Sequence, residues 1–408
     1  MNLPHSTPDL PGVGGSIKQR PEDFFVQEIP LYEPSGQGEH VYCEIEKIGL
    51  STFDAIDRVA RALNVSPRDI GYAGLKDAAA ITRQLFSIQG ADESAVMNLH
   101  LPQMSVKWAA RHGNKLRLGH LRGNRFAVKI RHVNPTDVVK LTPLIRQLQD
   151  RGMPNYFGEQ RFGRRGNNHL LGAALLHDDN AQALKILLAS PDKSLDNPQQ
   201  LAARQAFDRG DFPASMKLWP RSSGMERRIL ARFIKTQNPA SAVRTVDQRI
   251  RRLCISALQS DFFNQVVARR IASLDKLLPG DLAEKHDNGA VFRVVDATVE
   301  QPRCDAFQIS PTGPLIGYRM TLPEGQPLQI EEEIFASRGI RPADFRAAGR
   351  LKVKGARRSL RVRPTDIELA AGVDEHGPHI TAAFTLPAGS FATVFLRELM
   401  KVEPDTPE

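Results

Sequence analysis

The sequence predicts an α+β protein in which a long insertion interrupts one domain. Strand-like alternation of apolar and polar residues occurs near both ends of the chain, whereas residues from about 168 to 278 have a mainly helical pattern. A chain of 408 residues suits two domains, or one domain with a large insertion. Because the strand pattern returns after about residue 355, we favour the insertion. The interrupted domain is expected at 1–154 and 353–408, and the insertion at 155–352.

The first part of the interrupted domain begins with two predicted strands and a helix. Residues 17–29 have a strand-like pattern, with Phe24, Val26 and Glu28 on one face and Phe25 on the other. Residues 41–47 alternate between apolar and polar side chains, as a half-buried strand does. Ser51 or Thr52 is expected to cap an amphipathic helix that ends near residue 63. The same patterns predict strands at 85–88, 104–110 and 125–133, and a helix at 136–151.

The insertion and the last part of the chain differ in pattern. The helical stretch has polar breaks near 190–198 and 208–224, and residues 279–335 are mixed and rich in glycine and proline. Ser390 is the expected cap of a final helix. The last part is also predicted to contain strands at 359–363, 365–370 and 379–386.

The composition favours a polyanionic partner. The net charge is +9 and the sequence contains 39 Arg but only 16 Lys. Arginine forks onto phosphate and stacks on bases better than lysine does, so nucleic acid is the favoured partner. A generally arginine-rich proteome is the alternative explanation of this composition.

The cysteines and the apolar segments argue against several other classes. Cys43, Cys254 and Cys304 lie far apart and form no CxxC pair, so neither a disulfide framework nor a zinc site is indicated. The sequence has no signal-peptide pattern and no apolar run long enough to cross a membrane. We therefore expect a cytoplasmic protein with no membrane partner and no metal.

The most informative segment is the turn around Asp77. Gly71 to Gln84 sets this carboxylate between two strand-like segments, among residues too small to cover it. A substrate could therefore reach Asp77, although carboxylates in such turns usually cap a turn or a helix. The Thr82–Arg83–Gln84 group that follows is of a type that can hold an anion or an RNA backbone.

Three further segments carry candidate functional residues. Residues 18–24 place charged groups before a strand, and residues 119–126 place Asn124 and Phe126 at the entry to another. Residues 155–165 interleave aromatic, amide, glycine and arginine residues, a composition that can stack bases and grip phosphates. We expect the aromatic side chains of this third segment to be exposed.

Each candidate also has a structural interpretation. Phe126 and Phe391 could be ordinary core aromatics, and Lys18 could be a solvated surface lysine. His376 and His379 flank Gly-Pro, so a turn explains them better than a metal site does.

Five segments, in this order along the chain, resemble the TruD family of tRNA pseudouridine synthases. They include Lys-x-x-Pro-Glu-Asp-Phe-x-Val-x-Glu, Ala-Gly-Leu-Lys-Asp and Asn-Tyr-Phe-Gly-x-Gln-Arg-Phe-Gly, and their positions are 18–28, 73–84, 116–126, 155–163 and 386–399. The resemblance implies a pseudouridine synthase catalytic domain with a mixed, largely antiparallel sheet flanked by helices. It also implies that an inserted α+β TRUD domain interrupts this sheet domain.

The resemblance also assigns roles to individual residues. It implies that Asp77 is the catalytic carboxylate and that Lys18 is its basic partner. It implies substrate contacts from Asn124, Phe126 and Phe391. Lys76, Arg161 and Phe162 complete the expected substrate-binding set, although Lys76 points away from the carboxylate if the turn is extended.

The implied reaction is the isomerisation of uridine to pseudouridine in tRNA, at uridine 13 of the D arm. It needs no cofactor, and a monomer is expected. Asp77 could act as a nucleophile or as a base, and the sequence does not choose between these roles. The alternative function is a non-catalytic RNA-binding or RNA-folding protein on the same scaffold, which would not need the pair of Asp77 and Lys18.

Overall fold

The computed structural model describes residues 3–347 and 352–402, which fold into two compact units. The first unit contains residues 5–154 and the chain from 362 onward. The second unit is formed chiefly by residues 155–361. In the described part of the chain, no helix is both long enough and apolar enough to cross a membrane.

The first passage through the first unit contains eight strands and three α-helices. The strands are β1 (Phe24–Pro30), β2 (His40–Ile48), β3 (Ile70–Tyr72), β4 (Ile81–Gln89), β5 (His100–Leu101), β6 (Met104–His112), β7 (Leu121–Arg131) and β8 (Met153–Pro154). The helices are α1 (Thr52–Leu63), α2 (Glu93–Met97) and α3 (Thr142–Arg151). Short 3₁₀ turns lie at Pro21–Asp23, Pro67–Asp69 and Pro135–Leu141.

The second unit is helical in its first half and contains a small sheet in its second half. Its helices are α4 (Asn168–Leu176), α5 (Asn180–Leu188), α6 (Pro198–Asp208), α7 (Phe212–Leu218), α8 (Gly224–Thr236), α9 (Pro239–Val243), α10 (Gln248–Arg269), α11 (Ala297–Asp305), α12 (Gly325–Ser337) and α13 (Asp344–Ala347). Its strands are β9 (Leu282–Lys285), β10 (Val291–Arg293), β11 (Ile309–Leu315) and β12 (Ala356–Ser359). The chain then continues through β13 (Arg361–Val362), β14 (Thr365–Asp374), β15 (Gly377–Pro387) and α14 (Ala392–Met400).

A nine-stranded sheet dominates the first unit. Its order is β14-β15-β7-β1-β4-β2-β6-β5, with β3 beside β4. Only β1 and β4 pair in parallel, whereas the other neighbours in this sheet pair antiparallel. The sheet therefore joins strands from both ends of the sequence. The predicted α+β class, with a mixed and largely antiparallel sheet flanked by helices, is confirmed.

Helix α1 forms where its amphipathic pattern predicts it. The Ser51 hydroxyl accepts a hydrogen bond from Asp54 N–H (3.1 Å) and so caps the first turn. Ile56 and Val59 pack on apolar residues of β2 and β4, and Asn64 ends the helix in the left-handed conformation. The predicted helix and its Ser51 cap are confirmed.

In two predicted elements, a 3₁₀ segment replaces part of the expected strand or helix. The strand expected at 17–29 begins only at Phe24, because Lys18 has a φ of 57° and Pro21 opens a 3₁₀ turn. The helix expected at 136–151 consists of a 3₁₀ segment followed by α3. Pro143 lies in the first turn of α3, where its missing N–H costs no hydrogen bond.

The end of the chain also departs from the prediction. Ser390 does not cap the last helix, because Phe391 occupies the N-cap position of α14 and makes no side-chain capping bond. Phe395 of α14 stacks on Phe384 of β15 with ring centroids 4.2 Å apart. Packing against the sheet therefore supports this helix without a polar cap.

The second unit is organised around α10, which is 22 residues long. Helix α4 crosses α10 closely at Gly172, where an added Cβ would lie 2.3 Å from the carbonyl oxygen of Cys254. The sheet order is β10-β9-β11-β12. The domain boundary was expected at 352, but β12, which follows that position, pairs with β11 of this unit. The second unit therefore extends to residue 361.

Candidate active site

The Asp77 carboxylate lies in the loop between β3 and β4. Its Oδ1 accepts a hydrogen bond from the N–H of Ala79 (3.1 Å), two residues along the chain, which tightens the turn. The side chain keeps 32% of its surface exposed. Asp77 therefore combines a local turn-stabilising bond with a face that solvent can reach.

Lys18 is the cation bonded to this carboxylate. Its Nζ donates a hydrogen bond to Asp77 Oδ2, and the lysine side chain is 5% exposed. The ammonium also lies 4.6 Å from the centre of the Phe24 ring, within cation–π range. The interpretation of Lys18 as a solvated surface lysine is therefore wrong, and the structure brings this predicted site residue to Asp77.

The ionisation of Asp77 reflects two opposing effects. Burial raises the pKa of its carboxyl group. The hydrogen bond and positive charge of Lys18, together with the N–H groups of Ala79 and Ala78, outweigh burial and hold the pKa below its ordinary value. The carboxylate is therefore ionised at neutral pH, although it is partly buried.

A buried arginine fixes the segment that carries Lys18. The backbones of Ser16 and Arg131 exchange two hydrogen bonds (2.9 and 2.8 Å). The Arg131 guanidinium binds both oxygens of Asp23 and both oxygens of Asp374. Arg131 is thus tied to the residues on both sides of Lys18, and its paired charges tolerate burial.

Hydrogen bonds involving Thr52 and Gln84 hold the Asp77 loop in place. Lys76 N–H donates to Thr52 Oγ1 (2.9 Å), and the Thr52 hydroxyl donates to Gln84 Oε1 (3.1 Å). Gln84 Nε2 in turn donates to the Gly74 carbonyl (2.7 Å). Both side chains are almost fully buried. This relay connects helix α1, strand β4 and the residues Gly74 and Lys76, which precede Asp77 in the loop.

The relay changes the interpretation of the Thr82–Arg83–Gln84 group. Thr82 and Gln84 are fully buried, and Arg83 forms an ion pair with Glu46. Thr82 and Gln84 are therefore not available to hold an anion or an RNA backbone, whereas such a contact from Arg83 stays a prediction. Alternation along β4 turns Thr82 and Gln84 into the interior, where Gln84 supports the loop.

Lys76 is engaged by a different carboxylate. Its Nζ lies 2.6 Å from Glu28 Oε1, and both side chains are more than nine-tenths buried. Glu28 Oε2 also accepts a hydrogen bond from Leu85 N–H (2.9 Å), which fixes the carboxylate between β1 and β4. A substrate contact from Lys76 stays a prediction.

Lys47 is a buried cation that the sequence patterns did not single out as functional. Its Nζ donates to the Leu50 carbonyl (2.5 Å), and the side chain is fully buried. Burial lowers the pKa of Lys47 to about 8, and the charge of Lys76 adds to this effect, whereas Asp77 and Glu28 oppose it. The loop therefore lies in a cluster of lysines and carboxylates.

Asn124 and Phe126 lie two residues apart on β7 and so share one face of the sheet. Asn124 pairs with Glu28 of β1, which places it beside the Glu28–Lys76 pair in the register of the sheet. Its Oδ1 is buried and accepts no hydrogen bond from the described residues. Phe126 meets Phe24 edge-to-face at 6.2 Å, and Phe24 in turn lies under the Lys18 ammonium.

Phe126 and Phe391 differ in their packing. Phe126 is 7% exposed and stacks on Phe384, so it is a core aromatic as well as a neighbour of the Lys18 segment. Phe391 is half-buried at the start of α14. Substrate contacts from Asn124, Phe126 and Phe391 stay predictions.

The predicted RNA contacts Arg161 and Phe162 lie in the second unit. Phe162 is buried and meets His169 edge-to-face at 5.5 Å. Tyr156 and Phe157 are also buried, so the expectation of exposed aromatics in this segment is wrong. Arg161 lies 5.1 Å from the centre of the Phe157 ring, and burial lowers its pKa. RNA binding by Arg161 and Phe162 stays a prediction.

Among residues 3–347 and 352–402, no group of three or more His, Cys, Asp or Glu side chains is arranged to hold a metal ion. His376 lies in the turn between β14 and β15, where Gly377 has a φ of 102°, whereas His379 is buried in β15. The expected turn is present, and it includes His376 but not His379.

Comparison with known proteins identifies the family. The family model for tRNA pseudouridine synthase D (TruD) matches residues 1–399. The curated tRNA pseudouridine synthase D of Geotalea daltonii is 44% identical over 399 residues, covering 98% of this chain and 99% of the relative. This chain belongs to the TruD family. The curated TruD protein of Geobacter metallireducens is 46% identical over 396 residues, covering 97% of each chain.

The TruD family is also represented among solved structures that match this fold. The crystal structure of a TruD homologue from Methanosarcina mazei superimposes with a TM-score of 0.86 at 29% identity, covering 99% of each chain. The family resemblance predicted from the five sequence segments is therefore confirmed. The TruD match includes the loop of Asp77 and the segment of Lys18.

Proposed function

We propose that this protein isomerises uridine to pseudouridine in tRNA, at uridine 13 of the D arm, with Asp77 as the catalytic carboxylate. Family membership supports the reaction class. The observation that carries the assignment of Asp77 is its bond to buried Lys18, which keeps a partly exposed carboxylate ionised. A carboxylate that only capped a turn would not need a buried lysine partner.

The reaction rearranges one nucleoside without adding or removing a group. The C1′–N1 bond breaks, the uracil turns, C5 bonds to C1′, and the proton that leaves C5 is balanced by one gained at N1. Positive charge develops on the ribose as the glycosidic bond breaks. An ionised carboxylate beside C1′ can attack that carbon or remove a ribose proton, and both roles require the Asp77 charge that Lys18 maintains.

The target uridine must leave its stack to reach Asp77. Unstacking costs a few kcal/mol, which contacts to the flipped base must offset. Phe391 is half-buried and can offer part of its ring to the base. The Asn124 amide oxygen, which receives no hydrogen bond from the described residues, can accept one from a uracil N–H.

The test compares Asp77→Asn with Asp57→Asn, which alters an exposed carboxylate on α1. We expect Asp77→Asn to bind unmodified tRNA with near wild-type affinity and to form no pseudouridine, whereas Asp57→Asn stays active. Chemical mapping of pseudouridine in transcripts with uridine or cytidine at position 13 gives activity and site together. Full activity of Asp77→Asn would refute its role, and product at another position would refute the site. Wild-type binding without any product would favour the non-catalytic alternative.

A further inference from the structure

Most of the net positive charge of this protein comes from one helical segment of the second unit. Residues 198–252, from α6 to the start of α10, carry twelve Lys and Arg against four Asp and Glu, a net charge of +8. The whole chain of 408 residues carries +9. We call residues 198–252 the basic lobe. Its helices share one apolar core that includes Phe207, Trp219 and Ile229.

Three of the twelve cations serve the structure of the lobe. Arg204 pairs with Asp196 and donates to the carbonyls of α5. Arg227 donates to two carbonyls at the end of α7 (2.9 and 2.8 Å), and Arg251 donates to Val243 at the end of α9. These arginines satisfy carbonyl groups that the helix ends leave without partners.

The other nine cations face solvent without a carboxylate partner. Every one is exposed, and none forms an ion pair with a carboxylate of the described chain. The nine residues are Arg209, Lys217, Arg221, Arg228, Arg232, Lys235, Arg244, Arg249 and Arg252. Outside the lobe, some exposed cations of this unit are paired: Arg269 pairs with Glu333 and Arg293 pairs with Glu324.

Most of these cations belong to one continuous part of the lobe. Arg228, Arg232 and Lys235 follow helical spacing along the exposed face of α8, opposite buried Ile229 and Leu230. Arg232 Nε donates to Ser241 of α9 (2.7 Å), which joins that face to α9. The bonds of Arg251 to the end of α9 hold the start of α10 beside it, and Arg249 and Arg252 extend the surface there.

We propose that the basic lobe is a docking surface for the phosphate backbone of the tRNA. Seven of the nine exposed cations are arginines, whose planar forks match phosphate oxygens. Protein interfaces are enriched in aromatic side chains, and no aromatic residue of the lobe is fully exposed. A row of unpaired cations along helices instead suits a regular polyanion. The identity of the RNA rests on the proposed function, whereas the surface is defined by its own charges.

The test removes three lobe charges and measures the salt dependence of tRNA binding. The lobe variant combines Arg228→Gln, Lys235→Gln and Arg252→Gln, three exposed helical positions where glutamine preserves helix propensity. The matched control combines Arg269→Gln, Lys276→Gln and Arg293→Gln, which removes three cations that are already paired with carboxylates. Filter binding of an unmodified tRNA transcript between 50 and 200 mM salt gives Kd and its salt slope for wild type and both variants.

Each lost phosphate contact should reduce the salt slope by about 0.7 to 0.9. At 0.1 M salt, three lost contacts weaken binding by roughly 100- to 500-fold. We expect the lobe variant to show this change, the control to remain close to wild type, and single turnover of the lobe variant at saturating tRNA to be unchanged. A second triple, Arg221→Gln with Arg244→Gln and Arg249→Gln, provides an independent lobe variant if the first is unstable.

The outcomes separate this proposal from the proposed function. Unchanged Kd and slope in both lobe variants, with a wild-type protein that forms pseudouridine, would overturn the docking surface alone. An equal loss in the control would also overturn it, since total charge and not the lobe would then determine affinity. A wild-type protein that does not bind tRNA would overturn both proposals.

Discussion

The relay beneath the Asp77 loop can be tested by one substitution at Thr52. Thr52→Val keeps the shape of the side chain but removes the hydroxyl that accepts from Lys76 N–H and donates to Gln84. Thr52→Ser keeps the hydroxyl and removes only a methyl group. The two variants therefore separate the hydrogen bonds from the packing at a position that is 1% exposed.

The expected cost follows from burial. Each lost hydrogen bond removes about 1 kcal/mol, and each buried group left without a partner adds about 1–3 kcal/mol. Because water does not reach Thr52, we expect Thr52→Val to lower the free energy of unfolding by roughly 2–4 kcal/mol. Thr52→Ser should lose about 1 kcal/mol, the value of one buried methyl group.

The activity of these variants should depend on the position of the Asp77 loop and not only on the stability of the fold. Gly74 and Lys76, the two residues that the relay holds, directly precede Asp77, so their release lets the carboxylate shift. A displacement of about 1 Å can cost on the order of 100-fold in rate. We expect that loss in single turnover for Thr52→Val, while Thr52→Ser stays within about threefold of wild type.

Urea unfolding and single-turnover pseudouridine formation, measured at a temperature where both variants are folded, provide the two readouts. If Thr52→Val matches Thr52→Ser in both, the relay does not position Asp77 and the reasoning fails. If only stability falls, Thr52 supports the fold and not the loop.

Two further predictions concern ionisation. In Lys18→Met, the lysine no longer opposes the effect of burial on Asp77, so the pKa of Asp77 should rise. The acidic limb of the single-turnover rate should then move to higher pH. We expect a large loss of turnover and a smaller loss of tRNA affinity. A pH–rate profile unchanged from that of an exposed-site control, Lys140→Met, would contradict this. Burial alone would raise the pKa of Glu398, but its bonds from His5 and Ser6 N–H and the charge of Lys401 lower it to about 2. Because this pKa is lower in the folded than in the unfolded protein, ionised Glu398 stabilises the fold at pH values above its unfolded pKa, and this stabilisation is lost as the pH falls toward 2. Over that pH range, the free energy of unfolding, measured in urea, should fall by about 3 kcal/mol more in wild type than in Glu398→Gln. Equal acid sensitivity of the two proteins would refute the assignment.

The elements of the fold were predictable where periodicity and capping agree. Helix α1 combines an apolar stripe with a serine cap, and strand β4 contains the apolar run of residues 85–88. The start of β1 was missed because a pattern of side chains does not reveal the left-handed backbone of Lys18. The 3₁₀ segment before α3 was missed for a similar reason, since its residues fit a helical pattern although Pro143 starts a new helix.

The candidate site was predictable at its motif residues but not in the contacts that hold them. Thr52 bonds Gln84 across 32 positions, and Glu28 bonds Leu85 across 57. Arg131 bonds Asp23 across 108 positions. Such contacts depend on the register of the nine-stranded sheet, which no local pattern specifies. For the same reason, Gln84 could be interpreted as an anion ligand until its burial was known.

The buried and the exposed cations of this protein serve two different purposes. The buried cations Lys18, Lys76 and Arg131 are bonded to carboxylates, because an unpaired buried ion costs several kcal/mol. The exposed cations of the basic lobe need no such partner, since water solvates them at little cost. Salt screens exposed charges far more strongly than buried pairs. Added salt should therefore weaken tRNA association through the lobe while leaving the Lys18–Asp77 bond, and with it the chemical step, intact.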